Sequence, residues 1–264
     1  MRVYLIVFMP NYEGIRKNAA LCVQWSKEIY INTLNSNIKP LFPLVCECLQ
    51  AMLKAQESGQ SSVKVSENQK YAHDVYARVL EIDNAFKTLN MSLEYLGKEK
   101  FDDSEFELSE HYAFHAENFL LRLTSVVDRC HLFAGTTVLL DKKRMERLGG
   151  NRYILDHMHE NFPQTAEILE KLNNSVSQLR TSRNKIAHQE GFSTKNLIVV
   201  QAMESKEGDF LSEVSKVMEP EDIIALVREE ISSDFKPVVI EMQSLVSNLI
   251  DNLAPIYQRL GTNT

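Results

Sequence analysis

The stretch from Arg180 to His188 gathers a guanidinium, an amide and an imidazole at the end of a helix-forming run. Arg183 offers a permanent planar cation shaped for phosphate oxygens, and His188 offers a group that titrates near neutrality. Asn184, beside Arg183, can orient either group or bind phosphate, and Arg180, one turn earlier, is an auxiliary cation. Residues of these types can carry phosphodiester chemistry without a metal: a base or acid at His188 and charge stabilisation at Arg183.

Spacing alone does not single this segment out, because Arg152 and His157 stand the same distance apart. The second occurrence has the polar Asn184 and closes an amphipathic helix, whereas the first lies just after Gly149-Gly150 and lacks a polar neighbour. Five positions along an ideal helix amount to about 140° of rotation and about 7.5 Å of rise. Arg183 and His188 therefore share a face only if the helix ends near Ala187, or if each works with a copy from another subunit. Arg183 also falls on an otherwise apolar stripe, so it requires an anionic partner, a wet cleft or an exposed seam.

The elements that would position these groups read as helices. Four segments repeat apolar residues at alternating spacings of three and four. The first runs from Val75 to Leu96, with a capping box at Ser66 and Gln69 and a C-terminal left-handed residue expected at Gly97. The second runs from Tyr112 to Phe133 and is expected to end before Gly135; the third runs from Leu169 through Leu179 and Arg183 to Ile186. The fourth runs from Phe235 to Leu260, with Asp234 as its cap and Pro237 in its first turn. Sustained spacing of this kind predicts an all-α, up-down helical bundle with a four-helix core. Additional helices are expected over 41–57 and 221–232, and a short strand or apolar loop over 196–201. A short buried strand is expected within 3–9. Residues 1–65 read as an N-terminal extension with one or two helices, and 66–264 as the helical domain.

The second helix carries a polar stripe, His111, His115, Asn118, Arg122, Ser125 and Arg129, one position before its core residues. His111 and His115 have the spacing of a metal-binding pair, but this is not H-E-x-x-H and no third ligand is indicated. The stripe suits a cationic wall beside the third helix. A basic run, Lys142 to Arg152 with Tyr153, is compatible with an RNA backbone and equally with a solvated segment, since Asp141, Glu146 and Asp156 intersperse it. His157 and His159 read as exposed polar residues. The chain has no P-loop, Rossmann glycine pattern or G-x-S-x-G elbow, so those chemistries have no support.

At 264 residues, 44% apolar and 25% charged, the chain is long enough for an ample core and ordinary for a globular protein. Its formal charge of −7 argues against coating nucleic acid by bulk attraction, but a local basic patch remains compatible with RNA. Cys22, Cys46, Cys48 and Cys130 show no zinc spacing and read as reduced thiols in a cytoplasmic protein. No stretch approaches the roughly twenty apolar residues that span a bilayer, so no membrane association is expected.

Read as Arg-Asn-x-x-x-His, residues 183–188 resemble the R-x4-6-H motif of the HEPN superfamily, whose members are compact helical bundles and include many RNases. The resemblance covers about 66–260 in architecture and the motif in residues. It implies a metal-independent endoribonuclease with no cofactor, in which the RNA 2′-hydroxyl attacks the adjacent phosphate and leaves a 2′,3′-cyclic phosphate. Arg183, His188 and Asn184 would be catalytic, and Arg180 with Arg122, His115 and Asn118 on the earlier helix would support substrate. It further implies a homodimer whose two motifs meet in one cleft, and a toxin–antitoxin or defence setting with an antitoxin or nucleotidyltransferase partner. The alternative left open is a non-catalytic HEPN-like module that binds nucleotide, RNA or protein; an unrelated helical scaffold with a structural salt bridge at Arg183 is a third reading.

Overall fold

The computed structural model describes residues 2–4, 31–177, 179, 192–205 and 208–261. Arg2–Tyr4 forms β1, antiparallel to β2 at Ser62–Lys64. Two 3-10 turns, Asn32–Leu34 and Lys39–Leu41, lead into α1 (Phe42–Glu57). Then come α2 (Glu67–Leu96), α3 (Leu108–Thr137), α4 (Lys142–Met145), α5 (Gly150–Asn161) and α6 (Pro163–Ser175). The described elements close with α7 (Lys195–Glu204), α8 (Phe210–Ser215) and α9 (Pro220–Gly261). The all-α expectation holds.

The long pair α2 and α3 is antiparallel, as three contacts along it require. The Tyr71 hydroxyl donates to the Thr137 carbonyl at 2.8 Å, Asn118 Nδ2 donates to Ser92 Oγ at 3.1 Å, and Tyr95 stacks on His115 at 4.5 Å. The apolar stripes read from the sequence meet in one core: Val75, Val79, Ile82, Phe86 and Leu89 from α2, Phe119, Leu123, Val126 and Phe133 from α3, and Met242, Val246, Leu249 and Leu253 from α9. Leu169 and Leu172 of α6 seal one side. Ile38, Leu41 and Val45 join that same core from upstream of α2. A buried carboxylate, Asp83, fastens this upstream stretch by accepting from the backbone and side chains of Asn32 and Thr33 at 2.8–3.0 Å.

The capping box before α2 is present, with Gln69 N donating to Ser66 Oγ and Ser66 N donating to Gln69 Oε1. Several boundaries differ from the sequence expectation. Gly97 has φ −83°, so α2 ends without a left-handed residue. Gly135 lies inside α3: a Cβ there would sit 2.4 Å from Met145 Sδ and 3.2 Å from Ile154 Cγ1, so the glycine permits the close approach of α4 and α5. Residues 196–201 belong to α7, which Thr194 caps by accepting from Leu197 N at 3.2 Å. The expected pair of helices over 221–232 and 235–260 is one continuous α9, with Pro237 in its interior rather than its first turn and Asp234 within the helix rather than at a cap. The apolar positions stay in register across Pro237, and burial of Ile231, Phe235 and Val239 on one stripe carries the helix past it.

Candidate functional site at one edge of α3

Arg180, Arg183, Asn184 and His188 lie outside the described residues, as does Ile186 of the expected third helix. The residues on either side of them are placed. Upstream, Val176 is fully buried and Leu179 packs against the main core. One helical turn before Val176, Asn173 Nδ2 lies 3.4 Å from His131 Nε2. His131 is 1% exposed, and its Nδ1 faces the Val127 carbonyl at 2.9 Å. That carbonyl can only accept, which assigns the ring proton to Nδ1 and leaves Nε2 to accept from the Asn173 amide. Downstream, the Phe192 backbone N–H donates to Glu117 Oε1 at 2.7 Å, and the Phe192 ring meets Phe235 edge-on at 6.3 Å.

Both flanks therefore rest on α3. Glu117 and His131 are fourteen positions apart, which places them within about 40° of each other around the helix and about 21 Å apart along it. Glu117 and His131 are the residues that sequence reasoning missed at this edge. Glu117 belongs to no motif, and His131 sits among core residues, where periodicity gives it no distinguishing mark.

The stripe singled out from the sequence lies on the other edge of the same helix. Arg122 is five positions from Glu117, about 140° around α3. It is exposed and makes no ion pair or hydrogen bond among the described residues. Asn118 is engaged with Ser92 of α2. His115 stacks under Tyr95 and lies 6.1 Å from the parallel ring of His111, which itself stacks on Phe101 at 3.8 Å. Lys98 Nζ lies 4.3 Å from the centre of the Tyr95 ring. Burial, then the neighbouring His111 and Lys98, push the His115 pKa below its ordinary value. His115 is thus held neutral near pH 7 and adds no positive charge to a wall. His111 spends Nε2 on Ser104 Oγ at 2.7 Å, so these two histidines bind the loop after α2 rather than face an open metal position.

The other sequence candidates are accounted for locally. Arg152 is 87% exposed beside Asp156 at 3.9 Å. Arg144 covers the Tyr153 ring at 4.0 Å, which occupies the face a base would stack on. His159 pairs with Glu170 at 3.1 Å. Among the described residues no cluster of three or more His, Cys, Asp or Glu side chains has metal-binding geometry. No helix among them is long and apolar enough to cross a membrane.

An all-α bundle built on two antiparallel thirty-residue helices is the architecture expected of a HEPN-type protein. A family model, HEPN_Cthe2314-like HEPN, matches residues 57–254, and the chain belongs to that family. No curated protein and no solved structure matches the chain.

Proposed function

We propose that the protein is a metal-independent endoribonuclease in which Arg183 and His188 act on an RNA phosphodiester. The observation that carries this reading is the anchoring of the motif's two flanks, through Asn173 and Phe192, to His131 and Glu117 on one edge of α3. Anchors of this kind hold the described residues on either side of the motif on one rigid helix, and rigid support is what positioning chemistry requires. His188 moves the proton of the attacking 2′-hydroxyl or of the leaving 5′-oxygen, and Arg183 stabilises the charge on the phosphoryl oxygens. Asn184 orients the pair and Arg180 adds a cation. A homodimer that brings two motifs into one cleft, and a toxin–antitoxin or defence setting, belong to the same proposal.

The second reading, a non-catalytic module that binds nucleotide, RNA or protein, is favoured by the net charge of −7 and by the neutral His115. Purified protein incubated with total and transfer RNA in EDTA separates the two. Cleavage that leaves cyclic-phosphate ends and disappears in His188→Ala and in Arg183→Ala supports the enzyme. An inactive wild type, or equal cleavage by all three proteins, transfers the case to the binding module.

A further inference from the structure

Residues 141–152 hold five cations, Lys142, Lys143, Arg144, Arg147 and Arg152, against two carboxylates, a local charge of +3 in a chain whose net charge is −7. Both carboxylates are already engaged. Asp141 Oδ1 accepts from Arg144 N at 2.9 Å as the cap of α4. Glu146 accepts from Arg78 of α2 at 3.2 Å and has Lys142 at 3.9 Å. Lys143 and Arg147 are exposed and make no ion pair among the described residues. Arg144 lies over the neutral Tyr153 ring, which orients its guanidinium without cancelling its charge. Arg152 and its partner Asp156 are 87% and 65% exposed at 3.9 Å, a pair that contributes little to either.

Packing rather than helix propensity holds these cations in place, since α4 is only four residues long. Met145 is buried, and its Sδ occupies the space that Gly135 leaves open on α3. Gly150 brings the start of α5 onto the Met145 carbonyl, where a Cβ would stand 1.8 Å from the oxygen. Asn151 Nδ2 donates to Asp128 Oδ1 at 2.7 Å and ties α5 to α3. Gly135 is four positions after His131 and eighteen after Glu117, about one turn and five turns of an ideal helix. All three therefore lie on one edge of α3, and the cationic turn continues the edge that carries both flanks of the motif.

We propose that this turn is a backbone-binding arm of the RNA site, in which Lys143, Arg144 and Arg147 take phosphates of a single strand that also reaches the motif. The inference rests on the reading that RNA is the substrate. The contacts are to phosphate rather than base, because Arg144 covers the Tyr153 ring. Contacts of that kind position a strand and carry no sequence information. The preferred substrate is accordingly a strand that extends beyond the cleaved bond, with no base preference in the part lying on the turn.

The test reads binding separately from cleavage. A labelled single-stranded RNA of about 20 nucleotides is titrated in EDTA into the full chain carrying His188→Ala, with and without Lys143→Gln/Arg147→Gln. The double substitution is expected to weaken binding about tenfold and to make the slope of log affinity against log salt shallower by about 1.4, from two phosphate contacts at about 0.7 each. Both side chains are exposed, so the fold is left intact. Lys54→Gln/Lys64→Gln removes two exposed cations from α1 and β2 and is expected to leave affinity within about twofold. No binding, no loss in Lys143→Gln/Arg147→Gln, equal loss in the two double variants, or equal competition by polyglutamate would overturn the proposal. RNA held by the turn in a protein whose wild type leaves RNA uncut would keep the binding arm and remove the endoribonuclease reading. Cleavage by wild type, with affinity unchanged in Lys143→Gln/Arg147→Gln, would do the reverse.

Discussion

The edge of α3 that meets α2 and the edge that faces α6 carry similar residue types in different surroundings. On the α2 side, His111 and His115 lie flat under Phe101 and Tyr95, and Asn118 spends its amide on Ser92. On the α6 side, His131 and Glu117 hold the two flanks of the motif segment through Asn173 and the Phe192 backbone. One edge stacks rings to fasten a loop; the other uses single directed hydrogen bonds to hold α6 and the residue that leads towards α7. Histidine and amide content does not distinguish an anchoring edge from a packing edge, whereas the identity of the contacting group does.

The largest effect expected lies on the motif itself. His188→Ala and Arg183→Ala should each reduce cleavage about a thousandfold, within the usual range for a lost acid–base or charge-stabilising group. Melting temperatures unchanged from wild type would assign that loss to chemistry. Next, Glu117→Ala should lower kcat about tenfold with little change in KM. Glu117→Gln should recover most of it, because the amide oxygen can still accept from Phe192 N. Equal losses in the two variants would mean that the carboxylate charge, rather than the hydrogen bond, is what matters there.

The α2-side edge should respond in stability rather than in cleavage. Tyr95→Ala removes the ring over His115 and should cost about 1–2 kcal/mol in denaturant unfolding while leaving kcat near wild type. This edge is also pH-sensitive. The folded pKa of His115 is below the unfolded value of about 6.5, so the unfolded chain binds more protons in the interval between them. Stability from this site is complete above about pH 6.5 and is lost as pH falls towards the folded pKa. Unfolding measured from pH 7.5 to 5 should show a decline that His115→Gln reduces; an identical decline in the variant would place the sensitivity elsewhere. Arg122→Ala should have the smallest effect, within about 0.5 kcal/mol in stability and twofold in RNA affinity, because its side chain is exposed and makes no hydrogen bond or ion pair among the described residues. A tenfold loss of affinity would return the α2-side stripe to the RNA site.

Much of the fold was legible in the sequence. The alternation of three and four between apolar residues fixed the helical class, and Ser66 with Gln69 fixed where α2 begins, because both depend on neighbours within a few positions. The spacing of Arg183 and His188 is local in the same way, and the family it resembles is the one whose model matches residues 57–254. What periodicity reports is that a face is buried, not what buries it. The groove that needs Gly135, the continuity of α9 through Pro237 and the helical state of 195–204 all depend on partners distant in the chain.

The same limit applies at the site. Composition and spacing determined an all-α bundle with an arginine–histidine pair suited to phosphate chemistry, since those properties belong to residue types and local pitch. Only tertiary structure decided which edge of α3 the flanks of that pair rest on. Glu117 and Arg122 are close in sequence and about 140° apart on the helix, and long-range packing of α2, α6 and Phe192 against α3 gives them different neighbours.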